Sequence, residues 1–140
     1  MSPEDNKVTV RRFYDEVITQ KNLAVLEELL GDHYVSHDLP SDPAALKRFI
    51  GGFHSAFPDG RITIEQMIAE GDTVALRATF HGTQTSKFQD ILPTGKTVTV
   101  PAQDIYRVVE GKMVEHWGGP NQLSLLQQLG VLPPMGQTSS

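Results

Sequence analysis

The stretch Thr97-Val98-Thr99-Val100-Pro101-Ala102-Gln103-Asp104-Ile105-Tyr106-Arg107-Val108-Val109 decides the fold. Val98, Val100, Ala102, Tyr106 and Val108 recur at every second position, which predicts a long strand with one buried face. Asp104 falls in phase with them. Asp is disfavoured in strands and is seldom buried without a partner. A carboxylate here must therefore be hydrogen-bonded, paired or kept protonated. A structural Asp held by backbone amides or by Arg77 or Arg107 stays open beside a functional one.

The period-two signal continues on both sides. Glu110-Gly111 turns the chain into a strand over 113–117. Upstream, Val74, Leu76, Ala78 and Phe80 alternate, and Glu70-Gly71-Asp72 joins them to Ile62, Ile64 and Ile68. A Thr-, Gln-, Pro- and Gly-containing loop spans roughly 83–96. The N-terminal third reads differently. Ser2-Pro3-Glu4-Asp5 is a helix start, followed by Val10, Phe13, Tyr14, Val17 and Ile18 at helical spacing. Helices are predicted over 3–20, 22–30 and 43–57, with a short one over 121–129. Helices followed by hairpin-linked strands mean an α+β fold with a mainly antiparallel sheet.

Length and composition narrow the class. The chain has 140 residues, 39% hydrophobic and 21% charged, as expected of one globular domain. We expect that domain over 1–132 and a flexible tail over 133–140. Twelve basic against seventeen acidic residues leave a net charge of −5. That balance argues against nucleic acid and against anionic membrane surfaces as partners. There are no cysteines, so disulfides, thiolate metal sites and cysteine nucleophiles are excluded. No apolar run is long enough for a membrane span, and the N-terminus has no signal core, so a cytoplasmic location is expected.

Three groups of residues could carry chemistry. Ser36-His37-Asp38 cannot be a triad among themselves, because neighbours in sequence point apart. His33, His37 and Asp38 lack metal-site spacing, and no metal site is assigned. Asp104 is the second candidate. Arg77, Thr79 and His81, with Glu65, lie opposite the apolar strand face and read as a solvated or a pocket-lining set. His116-Trp117 either lines a pocket or packs over one end of the fold.

The chain resembles the SnoaL-like polyketide cyclases, within the nuclear-transport-factor-2-like and ketosteroid-isomerase-like fold. The resemblance rests on Val10-Arg11-Arg12-Phe13-Tyr14, Leu26-Glu27-Glu28-Leu29-Leu30, Val35-Ser36-His37-Asp38 and Ala56-Phe57-Pro58-Asp59. It continues through Glu70-Gly71-Asp72-Thr73-Val74, Leu92-Pro93-Thr94-Gly95-Lys96, Asp104-Ile105-Tyr106-Arg107-Val108, Glu115-His116-Trp117 and Gln127-Gln128-Leu129-Gly130. It implies a cone-shaped barrel of three helices on a strongly curved sheet. It also implies a deep apolar pocket, catalysis without metal or organic cofactor, and often a homodimer. In the aldol-type cyclases an Asp follows the His-Trp pair, where this chain has Gly118, and a His stands where it has Asp104. The resemblance therefore points to Asp38 and Asp104 as a carboxylate pair, as in related enzymes that close oxygen rings.

On this reading the protein is a cofactor-free cyclase closing a pyran or other cyclic ether on a hydrophobic polyketide. One carboxyl serves as base and the other as acid. Phe13, Tyr14, Val17, Phe53, Phe57, Val100, Tyr106 and Trp117 are expected to wall a cavity of about 300 Å3. His37, Glu65, His81 and His116 are expected at its polar edge. An epoxide hydrolase, an isomerase including an aldol-type cyclase, and a non-catalytic binder of the same fold remain as alternatives.

Overall fold

In the computed structural model, residues 2–133 are described, so all of the expected tail beyond Pro133 lies outside the described residues. Helix α1 (Pro3–Arg12) starts where the sequence places it. Ser2 accepts from the Asp5 amide, Asp5 returns a bond to the Ser2 amide, and Pro3 occupies the first turn. The helix then widens into a π-helical segment, Phe13–Thr19. A 3-10 turn (Leu23–Val25) leads into the single-turn helix α2 (Leu26–Leu29). Helix α3 (Pro43–Ala56) is capped by Asp42, whose carboxylate accepts from the Ala45 amide at 3.0 Å. Helix α4 (Gln122–Gln128), the last described element, starts behind its Asn121 cap. Among the described residues, no helix is long and apolar enough to cross a membrane.

The strands are β1 (Leu30–Ser36), β2 (Arg61–Glu70), β3 (Thr73–Thr83), β4 (Thr97–Val109) and β5 (Lys112–Pro120). They form one sheet in the order β1-β5-β4-β3-β2. β1 runs parallel to β5, and the other pairs are antiparallel. Two features depart from the sequence reading. The sheet stays open, with β1 and β2 as separate edges, rather than closing into a barrel; closure around packed side chains takes about eight strands. Strand β1 was expected to be the end of a helix and an irregular loop. Its pairing is non-local, and Gly31 permits it: a Cβ there would lie 3.0 Å from Val114 Cγ1 on β5.

Besides the irregular pairing of β1 with β5, two antiparallel strands each carry one extra residue. β2 carries one at Glu65, between the pairs Ile64–Ala78 and Gln66–Arg77. β5 carries one at Val114, between Val108–Met113 and Arg107–Glu115. The second resets the strand's phase. Met113 faces inward, but beyond the bulge His116 faces inward opposite Tyr106, and Trp117 faces outward opposite Ile105. The helices cover the inner face. Val10, Phe13, Tyr14, Val17, Leu26 and Ile50 meet Val74, Leu76, Ala78 and Tyr106 there. A second cluster at the other end joins Phe57, Phe80, Phe88, Val98, Val100 and Leu125.

Gly118 sits where β5 leaves the bulged region, with φ +101, a conformation that disfavours side chains. A Cβ there would approach the Gln103 carbonyl oxygen to 2.0 Å. Gly118→Ala is expected to lower unfolding stability by about 3 kcal/mol, read from urea denaturation. A midpoint equal to that of the unaltered protein would show that β5 relaxes freely at this point.

Candidate active site

Three strands contribute one polar chain to the inner face. Asp104 on β4 is 4% exposed, and its alternation with Ala102 and Tyr106 fixes it inward. Its Oδ1 accepts from His116 Nε2 at 2.7 Å. His116, on β5, is 1% exposed and is turned inward only by the Val114 bulge. Its Nδ1 lies 2.8 Å from Ser36 Oγ at the end of β1. With Nε2 donating to the carboxylate, neutral His116 leaves Nδ1 to accept from the Ser36 hydroxyl. Ser36 Oγ in turn accepts from the Leu39 amide at 3.0 Å.

Two phenols adjoin this chain. The Tyr14 and Tyr106 hydroxyls are 2.7 Å apart, and the Tyr106 ring packs on His116 with centroids 4.8 Å apart. Burial pushes the Tyr14 hydroxyl well above its ordinary value, with Tyr106 and the Asp104 charge adding to it. Burial and then Asp104 do the same to Tyr106. Both phenols therefore stay protonated as hydrogen-bond donors near neutral pH.

An apolar cavity of about 80 Å3 opens over Asp104. Phe13, Tyr14 and Ile18 of the π-helical region form one wall, and Phe49, Phe53 and His54 of α3 form another. Asp104 and Tyr106 form the floor. The volume is smaller than the expected 300 Å3 or so of a drug-sized site. It holds only a small fragment of a ligand unless the α3 side chains part from the π-helical wall. His54 is a cavity residue the sequence reading missed. Its Nε2 donates to the Ile18 carbonyl at 2.9 Å, and burial lowers its pKa. Its place four residues after Ile50 on the apolar stripe of α3 was the available signal.

Of the residues named from the sequence, Phe13, Tyr14, Phe53 and Tyr106 line this cavity with Asp104. Asp38 does not. It is exposed, and its Oδ2 accepts from the Gly118 amide at 2.6 Å. The chain after β1 continues beside β5, with the His37 amide donating to the His116 carbonyl, so Asp38 meets an open backbone amide and Leu39 enters the cavity instead. Of the expected pair of carboxyls, only Asp104 lines the cavity, and its close ionisable partner is the His116 imidazole behind it. His37 lies at the surface, stacked on Trp117 with centroids 5.0 Å apart and bonded to Glu115 at 2.8 Å. Trp117 belongs to the outer face. Glu65 is exposed at its bulge and accepts from the Thr79 hydroxyl. His81 is half-buried on β3, in phase with Thr79 and opposite Arg61. Val17, Phe57 and Val100 are core. No group of three His, Asp or Glu side chains converges as a metal site among the described residues.

An apolar cavity floored by Asp104 and Tyr106, with His116 bonded to the carboxylate behind it, under helices on an open sheet, is a pocket of the nuclear-transport-factor-2-like class. The sequence profile of the SnoaL-like polyketide cyclases matches residues 8–129, and the chain belongs to that family. Solved structures agree. AclR from Streptomyces galilaeus, a candidate hydroxylase, is 29% identical with a TM-score of 0.84, covering 97% of this chain and 87% of its own. IdmH from Streptomyces antibioticus, a candidate polyketide cyclase, is 28% identical at TM-score 0.76, covering 90% and 99%. A candidate SnoaL-like cyclase from Jannaschia is 23% identical at TM-score 0.81, covering 96% and 98%, which speaks for the fold alone. No curated protein matches the sequence.

The outer network makes a testable pH dependence. The bond from His37 first, and then Arg107, holds the Glu115 carboxyl below its ordinary 4.5. A folded pKa below the unfolded one stabilises the protein fully above about 4.5, and that contribution is lost as pH falls through the folded value. Glu115→Gln is therefore expected to flatten the acid limb of the stability profile below pH 4.5 or so, followed by thermal unfolding across pH. An unchanged acid limb would remove this network from the account.

Proposed function

We propose that the protein is a ring-closing enzyme of polyketide metabolism that works by acid–base chemistry, with Asp104 as base and His116 as its partner. The observation carrying this reading is the buried Asp104 carboxylate, bonded to His116 and opening onto an apolar cavity. A carboxylate there is shielded from water, which strengthens its interaction with a substrate proton. The aromatic walls suit a hydrophobic chain folded so that its two reacting ends meet.

For closure of a pyran, a substrate hydroxyl lies against Asp104 and the electrophilic end of an unsaturated carbonyl lies beside it. Asp104 takes the hydroxyl proton as the oxygen–carbon bond forms. Electron density moves to the carbonyl oxygen, where a Tyr14 or Tyr106 hydroxyl donates a hydrogen bond. The protonated Asp104 then returns its proton to the carbon next to the carbonyl. The step is an isomerisation, and no atom is gained or lost. His116 holds one carboxylate oxygen throughout, so the other meets the substrate.

A second reading is favoured by the likeness to AclR, a candidate hydroxylase. In that case oxygen from outside the substrate would enter the product. Incubation in heavy-oxygen water and under heavy dioxygen distinguishes the two, since ring closure by an internal hydroxyl incorporates neither label.

The direct test uses a hydroxy-enoyl thioester of pyran-forming length. Asp104→Asn is expected to cut cyclisation by about a hundredfold to ten-thousandfold, with the far-UV circular dichroism unchanged. Asp38→Asn is expected to retain most of the rate. A folded Asp104→Asn variant with undiminished turnover would end this reading.

A further inference from the structure

His116 is buried at 1% exposure, so water does not serve its ring nitrogens. Nε2 is committed to Asp104 at 2.7 Å, and Nδ1 meets Ser36 Oγ at 2.8 Å. Ser36 is itself held firmly. Its amide donates to Ser41 Oγ at 2.8 Å, the Ser41 hydroxyl returns a bond to the Ser36 carbonyl, and the Leu39 amide donates to Ser36 Oγ. With the Leu39 amide on one lone pair, Oγ keeps a second lone pair and its own proton.

This leaves Ser36 able to serve both forms of the imidazole. Neutral His116 accepts the Ser36 proton at Nδ1. Protonated His116 donates from Nδ1 to the free lone pair, and the hydroxyl proton rotates away. A pure donor or a pure acceptor at this place would leave one of the two states with an unpaired buried nitrogen, which is costly. We propose that Ser36 is a positioning residue whose hydroxyl satisfies His116 Nδ1 in both protonation states, so that the imidazole keeps its place on Asp104 with only the Ser36 hydroxyl turning. The inference rests on the reading of Asp104 and His116 as the acid–base dyad.

The groups facing His116 are few. Asp104 and Tyr106 approach from β4 and Ser36 from β1, with Tyr34 next to Ser36 and Tyr14 bonded to Tyr106 behind them. Burial raises both Tyr106 and Tyr14 well above the ordinary tyrosine value and pushes Tyr34 up as well, so all three stay neutral. Asp104 is the charged neighbour on this face, and it is common to every variant proposed below.

The experiment is an NMR titration of nitrogen-labelled histidine in the full chain, with the His116 signal assigned by its loss in His116→Gln. Protonated His116 makes a charge-assisted bond to Oγ, the stronger of the two. Ser36→Ala is expected to lower the His116 titration midpoint by about one pH unit, a tenfold loss of proton affinity. On the hydroxy-enoyl thioester, kcat should fall with KM unchanged. Ser36→Thr, which keeps the hydroxyl, should restore both. An unchanged midpoint in Ser36→Ala, or an equal shift in Ser36→Thr, would overturn the proposal. Should Ser36→Ala fail to fold, Ser36→Cys keeps the size with a weak thiol. An intermediate midpoint is then expected, and an unshifted one overturns the proposal. If His116→Gln retains full turnover, the cyclase reading falls, while the titration still decides what Ser36 does.

Discussion

Burial of the Asp104 carboxylate is the constraint around which the sheet is arranged. An unpaired charge on the inner face of β4 would cost several kcal/mol. The partner that offsets this cost comes from β5, and a regular β5 could not supply it. With Met113 inward, strict alternation would turn Glu115 and Trp117 inward and His116 outward. One extra residue, Val114, reverses that phase, and the imidazole arrives opposite Tyr106, beside Asp104. The imidazole then needs a partner of its own, which the parallel edge strand β1 provides through Ser36. Three strands, one bulge and one edge pairing thus converge on a single carboxylate.

The pairing of β4 with β5 also accounts for how this chain differs from its aldol-type relatives. Asp104 and Gly118 are direct cross-strand partners. The resemblance implies His and Asp at those two places in the aldol-type enzymes. Here the carboxylate stands on the neighbouring strand, at the same depth in the sheet, and the imidazole comes from His116. The Asp38 carboxylate instead completes the backbone of β5 at Gly118, work that belongs to the fold.

Much of this was legible in the sequence. The alternation around Asp104 placed it on a buried face, and the helical stripes placed Phe13, Tyr14 and Phe53 against the same space. What could not be read depended on non-local geometry. Nothing in Lys112–Trp117 marks Val114 as the extra residue, so Trp117 was expected inside and the role of His116 was left open. β1 carries no clear alternation and is held by pairing with a strand some eighty residues later, as the bonds from Ser36 and Asp38 across to β5 show. Ser36-His37-Asp38 invited attention as a unit. In the fold its members point to three places, and only Ser36 reaches the dyad, joining residues 80 and 68 positions away along the chain.

Gly118 ties the residue at this point to the path of its strand. Any side chain there collides with the Gln103 carbonyl, so an aspartate cannot be placed on β5 at this point by one substitution while the backbone keeps its present course. The glycine conformation and the strand path are thus locked to one another. Placing an aspartate there requires the strand path and the residue to change together, and each change alone passes through a less stable protein. Laboratory evolution toward the aldol-type arrangement should therefore begin with the backbone of β5, before any change to the charged groups.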